Sequence, residues 1–288
     1  MLPRRHIRVK VFQTIYSFTQ KNKHLKFSAR EELRTNLNSY KLLYKLILNI
    51  IFGIRELALE EIEINKRKFL PTKEDLKPNK KFVKNKFLKS ISFKKIDDII
   101  ESHKVKNISK KLYKKIKKSK LYSSYLNEPL CKFENEKNFF LRIVKNYIIT
   151  NPIIDEFIEE HSIFWNDDIL IVYNSIIENI NNKQSINSVN VFRKKDDQLF
   201  AYKLLNKTIS SLNDVNKQIH SIAENWDKDR IALIDLILLQ IAITEIQNFP
   251  EIPNKVTMDE YIEISKYYST PKSKDFINGI LDKFVKTN

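Results

Sequence analysis

The sequence predicts an all-α protein with a lysine-rich helical segment set into it, and three observations lead there. Only two glycines, Gly53 and Gly279, occur in 288 residues. Hairpin turns and phosphate loops need more glycine than that, because glycine alone reaches positive φ without strain. Apolar residues, 42% of the chain, recur at helical spacing over long stretches. Hydroxyl and Asp or Asn side chains stand where helices would start, and prolines stand where they would stop.

The first helix is read from residue 3 to residue 22, with Ile7, Val11, Ile15 and Phe18 on its buried face. Ser28 with Glu31 reads as a capping box. A long helix follows, carrying Leu33, Leu37, Tyr40, Tyr44, Ile47, Ile51 and Ile54, and ends before Leu70-Pro71. Residues 71–132 are dominated by lysine, as in Lys114, Lys115, Lys117 and Lys118, and read as a peripheral insertion of short helices. Deleting that insertion is expected to leave a folded core. Two later helix starts resemble one another: Trp165 before Asp167-Asp168, and Trp226 before Asp227 and Asp229. In each, Asn or Asp can cap, and the Trp can pack on Leu170 or Ile231. An internal repeat and two independent uses of the same capping chemistry both fit. Residues 228–247 are apolar nearly all round, as expected of a helix in the middle of a bundle. Thr257 with Glu260 reads as another capping box. Thr270 and Pro271 open the last helix, with Phe276, Ile280 and Phe284 on one stripe. The chain thus reads as residues 1–70, an inserted basic segment 71–132, and a C-terminal helical part 133–288.

Net charge is +17, which favours nucleic acid or another anionic partner. The chain is rich in Lys throughout, so local arrangement has to carry that argument. Cys131 is the only cysteine, and a reducing cytoplasm is the expected setting. No stretch approaches 18 uncharged apolar residues, so no membrane span is expected. The five histidines are scattered without ligand spacing, no glycine-rich phosphate loop occurs, and Asp167-Asp168 reads as capping. No catalytic residue, metal or cofactor is therefore expected.

The N-terminus is more telling. Arg4, Arg5 and Arg8 lie in the first turns of a helix, where cations oppose the dipole by roughly 0.3–1 kcal/mol each. Arginine offers planar, bidentate contacts to phosphates and bases, so an anionic ligand is expected there. Replacing the three with Gln is expected to leave stability equal or slightly raised. Gly279 sits inside a helical pattern, where it costs about 1 kcal/mol relative to Ala. That suggests close approach of another backbone, with Asn278 bonding across the junction. Asp235 and Glu245 interrupt the apolar helix and read equally as internal partners of a base or as a rim facing a partner.

These features together resemble the NusB family of transcription antitermination factors. The run Arg4-Arg5-His6-Ile7-Arg8 followed by Gln13-Thr14-Ile15-Tyr16 is similar to the family's arginine-rich first helix. Ile241-Ala242, Glu245, Ile252-Pro253-Asn254-Lys255-Val256, Asp259-Glu260 and Ser273 to Lys283 follow the family's order and spacing. The likeness is strong over residues 3–22 and 221–286 and weak between. It implies two helical bundles and a non-enzymatic factor that binds boxA-type single-stranded RNA with the ribosomal protein NusE. It further implies action with the transcription elongation complex on ribosomal RNA operons. By position, Arg4, Arg5, Arg8, Tyr16 and Phe276 match RNA-binding residues, and Tyr16, Asp235 and Phe276 match the partner surface. Asp235 replaces a more usual Glu, Gln240 stands where Arg is common, and Lys272 stands where an acid occurs. Cations and aromatics would meet one RNA strand if the first and last helices lie side by side.

Two other classes fit parts of the sequence. The RNA-binding domain of ribosomal RNA cytosine methyltransferases has a similar fold, but that enzyme needs a glycine-containing cofactor loop. A protein-interaction scaffold without RNA affinity would have no use for the arginine cluster.

Overall fold

The computed structural model describes residues 1–20, 26–93, 101–129, 132–162, 164–223 and 231–287. The helix start at Trp226, the thiol of Cys131 and the side chain of Ser28 lie outside the described residues. Every regular element among those described is a helix, as two glycines and a helical apolar period require. No helix among them is long and apolar enough to cross a membrane. The chain divides into two compact units, one of Met1 with Asn38–Val191 and one of Leu2–Leu37 with Phe192–Asn288. This division differs from the expected boundaries at 70 and 132.

The first unit is built on α2 (Lys26–Lys66), whose Tyr40, Tyr44, Ile47, Ile51 and Ile54 are buried as their spacing predicts. Helix α2 is already helical at Lys26, so Ser28 lies inside it and is not its cap. The lysine-rich segment supplies α3 (Lys73–Leu76), α4 (Lys81–Lys84), α5 (Lys86–Ser90), α6 (Ser102–Lys117) and α7 (Lys120–Asn127). It is not peripheral. Phe82, Phe87, Leu88, Leu112, Ile116 and Tyr125 are all buried. Fully buried Asn85 caps α5 through the Phe87 and Leu88 N–H groups. Its amide donates to the Tyr125 hydroxyl and to the Glu136 carbonyl, each at 3.1 Å. Tyr125 stacks on Phe139 with ring centroids 3.7 Å apart. Phe139 belongs to α8 (Phe133–Val144), which runs into a π-helical turn at Lys145–Ile149. Then come α9 (Pro152–His161) and α10 (Ile169–Asn181). Asp168 stands at the N-cap of α10 without a side-chain capping bond. Trp165 is buried and donates to the Ser39 carbonyl at 3.0 Å, while Leu170 is exposed, so the two form no staple.

The second unit contains α1 (Arg4–Gln20), the start of α2, α11 (Lys195–Ile222), α12 (Leu233–Asn248), α13 (Asn254–Tyr268) and α14 (Ser273–Thr287). Helix α12 is central: α1, α11, α13 and α14 all pack on it. Its residues 237–245 are buried without a break, as a helix apolar on every side demands. Thr257 and Glu260 lie inside α13, whose N-cap is Pro253, so they form no capping box. Thr270 lies just before α14, and its hydroxyl is 2.9 Å from that of Ser273.

Candidate nucleic-acid interface

Helix α1 runs alongside α13 in the same direction: Arg5 meets Glu260, and Phe12 meets Tyr268 eight residues further on with centroids 5.1 Å apart. Helix α13 folds back on α12, so α1 is antiparallel to α12, and Arg8 reaches Glu245 near the C-terminal end of α12. The predicted site residues therefore separate to opposite ends of the bundle. Arg4, Arg5 and Arg8 sit at one end. Tyr16, about 18 Å along α1 from Arg4 at 1.5 Å per residue, sits at the other, where α13 ends and α14 begins. Asp235 is at that second end, accepting at 2.8 Å from the hydroxyl of Ser273 in the first turn of α14, one turn before Phe276. The expected side-by-side packing of the first and last helices is not what joins these residues. Both helices pack on α12 instead, because an all-round apolar helix takes the centre.

At the cationic end, the three arginines differ. Arg8 is 3% exposed and Glu245 is fully buried. The guanidinium is bidentate on the carboxylate, with Nε at 2.9 Å and NH2 at 2.5 Å. Glu245 also accepts from the Thr257 hydroxyl at 3.1 Å and the Tyr261 hydroxyl at 2.8 Å. Burial is the largest influence and opposes the Arg8 charge, but the Glu245 hydrogen bonds together with the nearby charges of Tyr261, Glu245 and Glu260 outweigh it, and its pKa ends above the ordinary value. Burial, with Glu245 adding to it, drives the Tyr261 hydroxyl well above the ordinary tyrosine range. Arg8 is therefore a core ion pair with no surface to offer a ligand, which corrects its assignment to RNA contact. The Arg8 guanidinium also lies 5.2 Å from the centre of the Phe200 ring.

Arg4 and Arg5 do reach the surface, with side chains 42% and 50% exposed. Arg4 donates to Asp197 at 3.0 Å and lies over Phe200. Arg5 donates twice to Glu260, at 2.7 and 3.0 Å, and that hydrogen bonding raises its pKa. Acids on α11, α12 and α13 thus answer the charge that the dipole of α1 disfavours. The anion expected at this helix end is supplied, in the free protein, by the chain itself. Tyr267 is 82% exposed and near enough to Arg5 to act on its charge. Sequence reading passed it over, since a tyrosine near a helix C-terminus carries no motif.

At the other end, Tyr16 is 38% exposed, its ring 6.4 Å from that of Phe12. Phe276 is half-buried beside the buried Ile277 and Ile280. Asp235 is only 6% exposed, so it braces the start of α14 and offers little to a partner. Asn278 and Gly279 are exposed. A Cβ on Gly279 would meet nothing within 4 Å among the described residues, so the close approach expected there is absent among them. The glycine that does mediate close approach is Gly53, where an added Cβ would lie 2.6 Å from the Ser109 hydroxyl on α6.

Comparison with known proteins adds a family to this geometry. The NusB family model matches residues 169–286. The transcription antitermination protein NusB of Salinibacter ruber is 46% identical over 86 residues, 30% of this chain and 54% of that protein. The NusB protein of Chloroherpeton thalassium is 45% identical over 83 residues, 29% of this chain and 39% of that protein. The match thus spans about half or less of those relatives' own length. The NusB protein of Clostridium novyi is matched more fully, at 32% identity over 114 residues, 40% of this chain and 82% of that protein. No solved structure gives a significant match. With four-fifths of the Clostridium novyi protein aligned at 32% identity, this chain belongs to the NusB family.

Proposed function

We propose that this protein is a transcription antitermination factor that binds boxA-type single-stranded RNA together with the ribosomal protein NusE. On this reading it acts in the cytoplasm with the elongation complex on ribosomal RNA operons, by binding alone and without a chemical step. The observation that carries the RNA reading is the exposed pair Arg4 and Arg5 at the start of α1. Each guanidinium is half in water, and an ion pair that water reaches contributes only about 0–1 kcal/mol. A phosphate can displace the more accessible Glu260 from Arg5, which then exchanges one anion for another, already oriented. Asp197 is largely buried and stays in place, holding Arg4 so that a phosphate meets its solvent-facing edge. Arg8 anchors the helix that presents them. The end bearing Tyr16 and Phe276 is the partner surface, and an RNA touching both ends has to run several nucleotides along the bundle.

The test is titration of labelled boxA RNA and a scrambled RNA of equal length, with and without saturating NusE-type protein. The expected result is preference for boxA and tighter binding with the partner, since coupling between two ligands is reciprocal. The double variant Arg4→Gln, Arg5→Gln is expected to flatten the log–log salt slope by about 1.4, for two phosphates at about 0.7 each. Affinity that ignores both RNA sequence and partner would overturn the reading.

A further inference from the structure

Helix α6, in the unit outside most of the family match, has two opposed faces. Val105, Ile108, Leu112 and Ile116 lie on the buried one. The outer face carries Lys104, Lys110, Lys111, Lys114 and Lys115, with Lys118 just beyond, all exposed. Over residues 102–127 there are nine lysines and no Asp or Glu. The chain's 35 acids in 288 residues would place about three in a stretch of that length. A general bias toward lysine explains the nine cations but not the missing acids.

The lysines at the edges of this face show what structural ones look like here. Lys106 reaches Glu60 at 3.6 Å, and Lys117 bonds Glu61, both acids on α2. Among the described residues, the six on the outer face form no ion pair. Several stand four residues apart, as do Lys110 and Lys114, or Lys114 and Lys118, where like charges repel and acids would have stabilised the helix. Lys104, in the first turn, also opposes the dipole. Only the lysines of the last turn gain from it. The helix is about 24 Å long, and Gly53 lets it lie close on α2, so the cations are presented in a fixed row.

We propose that the outer face of α6 is a second nucleic-acid surface, holding the phosphate backbone of RNA without regard to sequence. Lysine suits this: it is a compact point charge that follows phosphates and reads no base edge. The face has no aromatic or apolar residue among its exposed positions, so it lacks the anchor that an amphipathic helix inserts into a lipid surface. The site would add phosphate contacts that a short RNA cannot fill, raising the affinity for long RNA over short.

The test compares the full chain with a variant carrying Lys110→Gln, Lys111→Gln, Lys114→Gln and Lys118→Gln. A control of equal charge carries Lys77→Gln, Lys145→Gln, Lys183→Gln and Lys217→Gln, all exposed positions elsewhere. The probes are a boxA RNA and a scrambled RNA, each 40 nucleotides long, and phosphatidylcholine vesicles with and without phosphatidylserine. Helix content and thermal midpoint confirm folding, and the midpoint should hold or rise as repulsion is relieved. The expected result is a salt slope flatter by about 2 to 3 for both RNAs, with the control near wild type. Equal flattening in both variants, an unchanged slope, or loss of vesicle binding in place of RNA binding overturns the proposal. Failure of the boxA reading looks different, since it removes the preference between the RNAs and leaves the shared slope loss intact.

Discussion

Arg5 and Arg8 stand three residues apart on α1 and meet opposite surroundings. Arg5 lies half in water against Glu260, whereas Arg8 is sealed in against a carboxylate with no exposure at all. Breaking a buried pair by removing one partner costs about 3–5 kcal/mol, because the remaining charge is left without compensation. Arg8→Gln is therefore expected to destabilise the protein by that amount in urea unfolding. Arg4→Gln and Arg5→Gln should each stay within about 1 kcal/mol of wild type. Arg8→Gln combined with Glu245→Gln should recover part of the loss, since neither charge of the pair is then left buried alone. If Arg8→Gln proves as mild as Arg5→Gln, Glu245 has another source of compensation and the core pair is unimportant. This reverses the expectation that all three arginines could be removed without harm. The sequence could not separate them: a cation beside a buried stripe looks the same whether it turns outward or inward. The residue that decides it, Glu245, lies 237 positions away.

At the scale of elements, helices were legible wherever one face, or every face, was continuously apolar. The centrality of α12 followed from its composition alone, and α2 buries the stripe its spacing announced. Caps were less legible. Thr257 sits three residues before Glu260 as a capping box would, yet its hydroxyl binds Glu245 within the core. A motif of two residues cannot distinguish a helix start from a helix interior. Helix α6 was hidden for a different reason. Its buried Val105, Ile108, Leu112 and Ile116 keep a helical period, but the lysines between them dominate any reading of composition. Its contact with α2 gives a sharp test. An added methyl at Gly53 would lie 2.6 Å from the Ser109 hydroxyl and 3.1 Å from its Cβ, so the overpacking of Gly53→Ala, about 1–3 kcal/mol, should exceed the roughly 1 kcal/mol that Ala gains over Gly in a helix and leave a net loss. Adding Ser109→Ala removes the nearer obstacle, and the double variant should be more stable than Gly53→Ala alone. Additive losses in the two variants would mean that the helices yield elsewhere and that the close approach is not a constraint.

For the whole molecule, the question is which parts fold as one. Composition suggested that residues 71–132 could be removed, since lysine-rich chain usually solvates itself. Their apolar residues decide otherwise. Phe82, Phe87, Leu88, Leu112, Ile116 and Tyr125 are all buried in the unit formed by Asn38–Val191. Burial of such side chains contributes about 1.5–3 kcal/mol each, and six of them together rival the 5–15 kcal/mol that typically holds a whole domain. Deleting 71–132 also removes Asn85 and Tyr125, leaving the Glu136 carbonyl and the Phe139 ring without their partners. The deletion is therefore expected to unfold the first unit. The second unit, Leu2–Leu37 with Phe192–Asn288, contains none of the deleted residues and should keep a cooperative helical transition. Trp165 is a local reporter of the first unit, being 2% exposed and hydrogen-bonded to the Ser39 carbonyl. With Trp226→Phe in both proteins, emission comes from Trp165 alone. The full chain should emit in the blue and shift red on unfolding. The deletion variant should emit in the red from the outset while circular dichroism still reports a helical, cooperatively melting protein. Blue emission from Trp165 in the deletion variant, lost in a cooperative transition, would show that α2 and α8 to α10 close a core without the lysine-rich helices. Those helices would then be an addition to the fold and not part of what holds it together.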